Sequence, residues 1–334
     1  MKSVEQKISS GNVLEVKDLK TYFFTGRGVV KAVDGVSFEL KEGETLGLVG
    51  ESGCGKTITC LSILRLVPGP AGRIVGGEVI LDGDDLLSKS EKAMRRIRGK
   101  KVSMILQDPM VSLNPVFTIG NQMAEPVRIH QKLSRRLVWE KVKEMLRLMS
   151  IPSPEIRIRE YPHQMSGGMR QRVVGGIALS CQPRLLIADE PTTSLDVTIQ
   201  AQYLRLLKEV QQKENLAMIM VTHDLGIVAK VCDRVAVMYA GKIVECGDVR
   251  EIFYRPAHPY TKALLGSLPK MEERQEKLYT IEGQPPELHA LPPGCSFAPR
   301  CPDVQEICKQ EYPPQSIIKD GHCTSCWLFA ARKA

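Results

Sequence analysis

An α/β fold, built on a mostly parallel sheet with helices on both faces, is predicted by three features of this 334-residue sequence. The apolar run TLGLVG, ending at Gly50, is followed by a glycine-rich turn and an apolar-periodic segment, Thr57 to Leu66, which makes a strand, loop and helix unit. Further short apolar runs, Val102 to Leu106, Leu185 to Ala188, Ala217 to Val221 and Val235 to Tyr239, are separated by helix-length stretches, as a sheet buried on both faces requires. Hydrophobic residues make up 43% and charged residues 25%, ordinary globular usage that excludes disorder and fibrous repeats over most of the length.

The elements follow in chain order. MKSVEQKISSGN lacks the apolar core of a secretory signal, so a cytosolic location with reduced thiols is expected. VLEV and VDGVSFEL read as extended segments, the second with alternating apolar positions, before a turn at Glu42 and Gly43. No convincing strand lies in residues 117 to 182, where Leu133, Leu137, Val138, Val142, Met145, Leu146 and Met149 recur at helical spacing. This predicts a helical insertion over about 110–182. Eleven of the 21 prolines follow Arg255, so residues 256–334 are expected to be mostly loop and extended chain, set apart from a first domain over 13–255. No run reaches the 18 or so apolar residues of a spanning helix. The formal charge of +8 is compatible with a phosphate ligand or an anionic membrane surface and demonstrates neither.

GESGCGKT, Gly50 to Thr57, fits the phosphate-loop pattern and lies between a predicted strand and a predicted helix. Gly53 and Gly55 let backbone N–H groups turn inward around phosphate oxygens, and the helix N-terminus adds partial positive charge. Lys56 would then reach the β and γ phosphates and Thr57 would ligate Mg²⁺. The run Leu185 to Ala188 ends in Asp189 and Glu190, placing a metal-holding carboxylate and a water-polarising one at a strand's carboxyl end. Alone such a pair is commonplace; beside a phosphate loop it is not. MSGGMRQR, Met165 to Arg172, supplies a second anion-binding helix start through Ser166, Gly167 and Gly168.

With these motifs the chain resembles the ATP-binding subunits of ABC transporters, MSGGM standing for the signature usually written LSGGQ. The resemblance implies a P-loop NTPase (RecA-like) ABC ATPase core with an antiparallel β subdomain, a helical insertion and a Cys-rich C-terminal extension. It implies that Gly50, Ser52, Gly53, Cys54, Gly55, Lys56, Thr57 and Ile58 bind ATP. Thr57, Gln107 and Asp189 would hold Mg²⁺, and Glu190, Gln107 and His223 would be catalytic. Ser194, Leu195 and Asp196 match the D-loop. Phe23, with Tyr22 as the near alternative, matches the adenine-stacking aromatic. Ser166, Gly167 and Gly168 would grip the ATP of a partner subunit facing head to tail.

KAVDGVSFEL, QDPMVSLNP, DEPTTSLDVTIQAQ and RPAHPYTKALLGSLP narrow the resemblance to dipeptide and oligopeptide importer ATPases, which include nickel-importing relatives. The branch implies a paralogous second ATPase subunit, two transmembrane permeases, an extracytoplasmic binding protein acting indirectly, and a peripheral position on the cytoplasmic face of the membrane. Met165 replaces the usual leucine, an apolar swap of similar volume.

Five cysteines, Cys54, Cys60, Cys181, Cys232 and Cys246, are scattered, whereas Cys295, Cys301, Cys308, Cys323 and Cys326 crowd the tail. Spacings of five and six residues between the first three lack the close pairs usual for structural zinc, so an iron–sulfur cluster, zinc and a disulfide all remain open on residues alone. In peptide-importer ATPases the same tail resembles a [4Fe-4S] site, and aligning GH with the following tryptophan selects Cys326 over Cys323 as fourth ligand. Two rivals stand beside the transporter reading: a soluble ABC ATPase acting on nucleic acid, supported by the basic run Lys92 to Lys101, and an iron–sulfur redox carrier.

Overall fold

Two sheets and two apolar cores organise the chain, whose computed structural model describes residues 11–193, 195–268 and 280–330. In chain order the strands are β1 (Asn12–Thr25), β2 (Gly28–Lys41), β3 (Thr45–Val49), β4 (Gly72–Leu81), β5 (Asp84–Asp85), β6 (Val102–Ile105), β7 (Leu185–Asp189), β8 (Ala217–Val221), β9 (Arg234–Tyr239), β10 (Lys242–Asp248), β11 (Ser316–Lys319) and β12 (His322–Thr324). The helices are α1 (Lys56–Ile63), α2 (Glu91–Ile97), α3 (Pro109–Ser112), α4 (Ile119–His130), α5 (Arg135–Leu148), α6 (Pro154–Arg157), α7 (Gly167–Leu179), α8 (Val197–Lys213), α9 (Leu225–Val231), α10 (Val249–Tyr254), α11 (Pro259–Gly266) and α12 (Glu306–Gln310).

The eight-stranded sheet runs β11-β12-β10-β9-β3-β8-β7-β6. Its β9-β3-β8-β7-β6 portion is parallel, and the remaining strands pair antiparallel. Side chains alternate across a strand, so each central strand feeds both cores. In β8, Ala217, Ile219 and Val221 enter the core shared with the antiparallel sheet, while Met218 and Met220 enter the core shared with the helical segment.

The antiparallel sheet runs β2-β1-β4-β5. Leu14 and Val16 oppose Leu40 and Phe38 on one side and Leu81 and Val79 on the other, and all six are buried. A bulge at Asp18, with φ of 48° and a register shift between Val16 and Leu19, inserts the residue that returns Leu19 and Thr21 to the buried face.

Between β6 and β7 the described chain is helical. Thr118, Ser134 and Ser166 cap α4, α5 and α7 with side-chain oxygens that accept from backbone N–H groups. Val138, Val142, Met145, Leu146 and Met149 are buried as the spacing predicts. Leu133 and Leu137 are exposed, because α5 starts only after Ser134 and Leu137 falls off the inward stripe. Of the basic run, Arg98 is engaged rather than free: its guanidinium donates to the carbonyls of Leu64 and Arg65 and pairs with Glu91 at 2.6 Å.

The proline-rich tail is more ordered than its composition predicts. It forms α11 and α12 and adds β11 and β12 to the main sheet through β10, so its prolines fall mainly between elements. Phe297 packs on Tyr239 and Tyr260 with ring centroids 5.3 and 5.4 Å away, all three fully buried.

Leu146→Ala is expected to lower unfolding free energy by about 2–5 kcal/mol in a urea titration. Leu137→Ala, on the exposed side of the same helix, is expected to change it by less than about 0.5 kcal/mol.

Candidate functional site

Strand β3 is buried throughout and delivers the chain to Gly50 at the carboxyl edge of the parallel sheet, where such folds bind ligands. Gly50 and Gly55 adopt φ of 150° and 108°, and a Cβ on either would lie 2.2 Å from a backbone oxygen, of Met238 and Ala32 respectively. No other residue permits that turn. Lys56, the first residue of α1, is buried, and its ammonium donates to the carbonyl oxygens of Gly50 at 2.8 Å and Glu51 at 3.0 Å.

A cavity of about 670 Å³ opens over this loop. Phe23, Ser52, Gly53, Gly55, Lys56, Thr57, Ile58, Gln107, Glu190 and His223 line it, so residues far apart in sequence are brought to one place. Val30, Ala32, Thr193 and Leu288 complete the wall; Ala32 and Thr193 lie inside quoted motifs without having been singled out, and no motif marked Val30 or Leu288. Tyr22 is turned away: its hydroxyl donates to Asp34 at 2.6 Å, and burial together with that carboxylate pushes its ionisation up to about 12. Phe23 is the aromatic that faces the cavity, its ring fitting where any side chain on Gly72 would collide with it.

Asp189, at the end of β7, is buried behind Thr57, whose hydroxyl donates to it at 3.3 Å. Burial pushes this carboxyl above its usual range, with the neighbouring Glu190 adding to the rise. A buried carboxylate facing a hydroxyl is an oxygen-only donor set that suits Mg²⁺, and a divalent charge would reverse the rise. Glu190 sits in the left-handed region with φ of 44°, which turns its carboxylate toward three partners. Gln107 donates to it at 2.8 Å, Thr193 at 3.1 Å, and His223 Nδ1 lies 3.2 Å from its other oxygen.

The signature is elsewhere. Ser166, Gly167, Gly168 and Asp196 do not line the cavity. Ser166 caps α7 and Asp196 caps α8, both exposed, while Gly168 packs where a Cβ would meet Ile199 at 2.7 Å. Ser194 lies outside the described residues.

The tail reaches the loop from behind. The Arg300 guanidinium forks onto Glu51 at 2.7 and 3.0 Å and donates to Tyr239, and the Tyr260 hydroxyl accepts from the Glu51 N–H at 2.9 Å. Cys295, Cys301, Cys308 and Cys326 gather around one small pocket of about 10 Å³ beside Phe297 and Trp327. Burial pushes the Cys301 and Cys326 thiols up to about 11 and raises Cys295 as well, each with neighbouring thiols contributing. Cys323 is not in this pocket; it opposes Cys246 across β12 and β10. Among the described residues no three His, Cys, Asp or Glu side chains are arranged to hold a single metal ion.

Comparison with known proteins agrees with this geometry. Residues 33–193 match the family model for ABC transporters, and residues 244–308 match the oligopeptide/dipeptide transporter C-terminal region. The dipeptide transport ATP-binding protein DppD of Bacillus subtilis is 52% identical over 95% of this chain and 94% of its own length. The chain belongs to the ATP-binding proteins of ABC transporters. The oligopeptide transport ATP-binding protein OppD of the same bacterium is 50% identical over 95% of this chain and 89% of its own. A probable peptide ABC transporter ATP-binding protein of Sinorhizobium fredii, y4tR, is 53% identical over 94% of each. The fold of ABC cassettes is shared with the dimeric post-hydrolysis cassette MJ0796 bound to ADP and Pi, at a TM-score of 0.64, 24% identity and coverage of 71% of this chain and 99% of that one.

In a double-mutant cycle of Arg300→Lys and Glu51→Gln, Arg300→Lys alone is expected to cost about 1.5–3 kcal/mol, since a lysine cannot reproduce the fork. The double variant should be clearly less destabilised than the sum, as read by chemical denaturation without nucleotide.

Proposed function

We propose that this chain is the ATP-hydrolysing subunit that energises import of dipeptides or oligopeptides through a membrane ABC transporter, peripheral to the cytoplasmic face of the membrane. Its similarity to peptide-transport ATP-binding proteins supports separate permease subunits that form the translocation path; among the described residues no helix is long and apolar enough to cross a membrane. The observation that carries the reading is the convergence of Lys56, Thr57, Gln107, Glu190 and His223 on one cavity, in a chain about half identical to peptide-transport ATP-binding proteins along nearly its whole length.

Each residue's role follows from its position. Phe23 stacks on the adenine, and the inward N–H groups of the loop with Lys56 hold the phosphates. Thr57, Asp189 and Gln107 would hold Mg²⁺, which would supply charge neutralisation between the phosphates. Glu190 accepts a hydrogen bond from the attacking water and polarises it as general base, and His223 and Gln107 fix its carboxylate. Ser166, Gly167, Gly168 and Asp196 lie away from this cavity, which supports their serving the cavity of a second ATPase subunit, a paralogue, in a head-to-tail pair. Two nucleotides shared by two subunits make the pair depend on ligand state, and the helical segment carries that change to the permeases, which receive cargo from an extracytoplasmic binding protein.

The four thiols gathered at Cys295, Cys301, Cys308 and Cys326 support a cysteine-ligated centre in the tail, and a [4Fe-4S] cluster fits the donor set because each thiolate binds a different iron and the four need not converge on one ion. Their pocket must open to admit it.

Glu190→Gln protein, mixed with its paralogue at saturating ATP, is expected to accumulate as a dimer by light scattering while turnover falls about 100-fold or more. A persistent monomer would count against the shared site, and absence of ATP turnover by the native subunit with its permeases in vesicles would overturn the function. Phe23→Ala is expected to weaken nucleotide binding by about 1–3 kcal/mol in a fluorescence titration, with Tyr22→Phe nearly silent. Anaerobically purified protein should carry iron and sulfide in equal amounts and lose both in Cys326→Ser but not in Cys323→Ser; zinc in their place would exclude the cluster.

A further inference from the structure

Cys246 and Cys323 are the two cysteines that neither the nucleotide cavity nor the four-thiol pocket uses and that nevertheless face each other. They are direct partners in the antiparallel pairing of β10 with β12. Directly opposed residues in such a pair have Cα atoms about 4.5–5.5 Å apart, within the about 4.4–6.8 Å span that a disulfide bridges. The Cβ separation of opposed residues, about 4.5–5.5 Å, is longer than the about 3.5–4.5 Å of a relaxed bridge, so closing the bond draws the strands together and leaves it readily reduced.

We propose that Cys246 and Cys323 form a reversible disulfide, a thiol-redox modification site separate from the tail's four-cysteine pocket. The two sulfurs have different roles. Cys323 is half-buried, its sulfur accepts from the Gln315 side-chain amide at 2.9 Å, and a hydrogen bond from Cys246 together with that amide holds its ionisation below the ordinary thiol range. Cys246 is buried, with the Arg234 guanidinium 3.7 Å from its sulfur, and sharing its proton with Cys323 raises its own ionisation. Cys323 is therefore the attacking thiolate and Cys246 the resolving thiol. The remaining isolated cysteines, Cys54, Cys60, Cys181 and Cys232, are buried with thiols pushed up by that burial, and β-sheet pairing brings none of them opposite another cysteine.

The oxidant is a low-molecular-weight disulfide. The Cys323 thiolate attacks one of its sulfurs, forming a mixed disulfide and releasing one small thiolate. Cys246 then gives up its proton and attacks the Cys323 sulfur, closing the protein bond and releasing the second small thiolate. Two protein thiols lose two electrons and two protons, and the small disulfide becomes two thiols. The bond ties the β11–β12 hairpin covalently to β10 and encloses Cys295, Cys301 and Cys308 in the loop it closes, so the redox state of this pair sets how firmly the tail is held to the sheet.

The test uses full-length protein, purified anaerobically, equilibrated in glutathione buffers of graded ratio, quenched in acid, alkylated and mapped by mass spectrometry. The expected result is a peptide pair joining Cys246 to Cys323, two hydrogens lighter than its reduced components and abolished by dithiothreitol. About nine-tenths of Cys323 alkylation should be lost once the buffer is poised well above the midpoint of the pair. In Cys246→Ser, or Cys246→Ala should the serine disturb the sheet, glutathione should remain trapped on Cys323. Full alkylation of both cysteines in glutathione disulfide alone, or capture of Cys323 by Cys326 or another tail cysteine, would overturn the proposal.

Discussion

A lysine ammonium held on the carbonyls of its own loop is the constraint from which the rest of the site follows. Lys56 is buried, and a buried cation costs several kcal/mol unless its donors are met. Gly50 and Glu51 meet them through carbonyl oxygens that only a left-handed glycine turn can aim inward. The loop is therefore held closed around this charge by its own backbone carbonyls. That is preorganisation in the strict sense: little chain entropy is left to lose at the moment of binding. It also explains why the sheet behind the loop must be apolar on both faces, since a strand that shifted by one residue would carry Gly50 away from Met238 and release the lysine.

The acidic edge of the cavity obeys the same logic with opposite charge. Glu190 stands in a backbone conformation that non-glycine residues rarely occupy, and three side chains from three separate segments hold its carboxylate there. Gln107 follows β6, Thr193 follows β7 and His223 follows β8, so a movement of any one strand end relative to the others alters the carboxylate's partners. The helical segment begins directly after Gln107. A displacement of that segment is thus transmitted to the Glu190 carboxylate through one hydrogen bond of 2.8 Å, without any change within the parallel sheet.

The parallel strands were legible because both faces are apolar, so Leu185 to Asp189 and Ala217 to Val221 read as buried runs whichever way they point. The phosphate loop, the paired acids and the signature were legible because their chemistry demands fixed residue types at fixed spacing. Which of Tyr22 and Phe23 faces the cavity was not, since the bulge at Asp18 resets the inside–outside alternation of β1 and nothing local in the sequence announces it. Leu133 and Leu137 fit a helical period yet lie outside the buried stripe, which is set by where Ser134 starts the helix. Leu288 has no signal at all: it reaches the cavity because its carbonyl accepts from the Lys31 N–H in β2, a long-range pairing. The tail strands were hidden by prolines that punctuate short elements rather than prevent them.

That tail meets the phosphate loop through the side chains of Arg300 and Tyr260. Arg300 is almost fully buried, follows directly on the loop that carries Phe297 and precedes Cys301, one of the four gathered thiols. Its guanidinium reaches Glu51, the second residue of the phosphate loop, with a geometry that tolerates little movement because a planar fork loses both bonds when it rotates. Whatever fixes Cys301 therefore fixes the adjoining Arg300 backbone, and through it the carboxylate of Glu51, whose N–H is held separately by Tyr260 and whose carbonyl in turn holds Lys56. The route from thiol to ammonium runs along the chain from Cys301 to Arg300, then through the charge-assisted hydrogen bonds of Arg300 to Glu51 and of Lys56 to the Glu51 carbonyl. A centre assembled on those four cysteines would stiffen the loop from behind, where nucleotide never reaches, and so act on phosphate binding without occupying any part of the cavity.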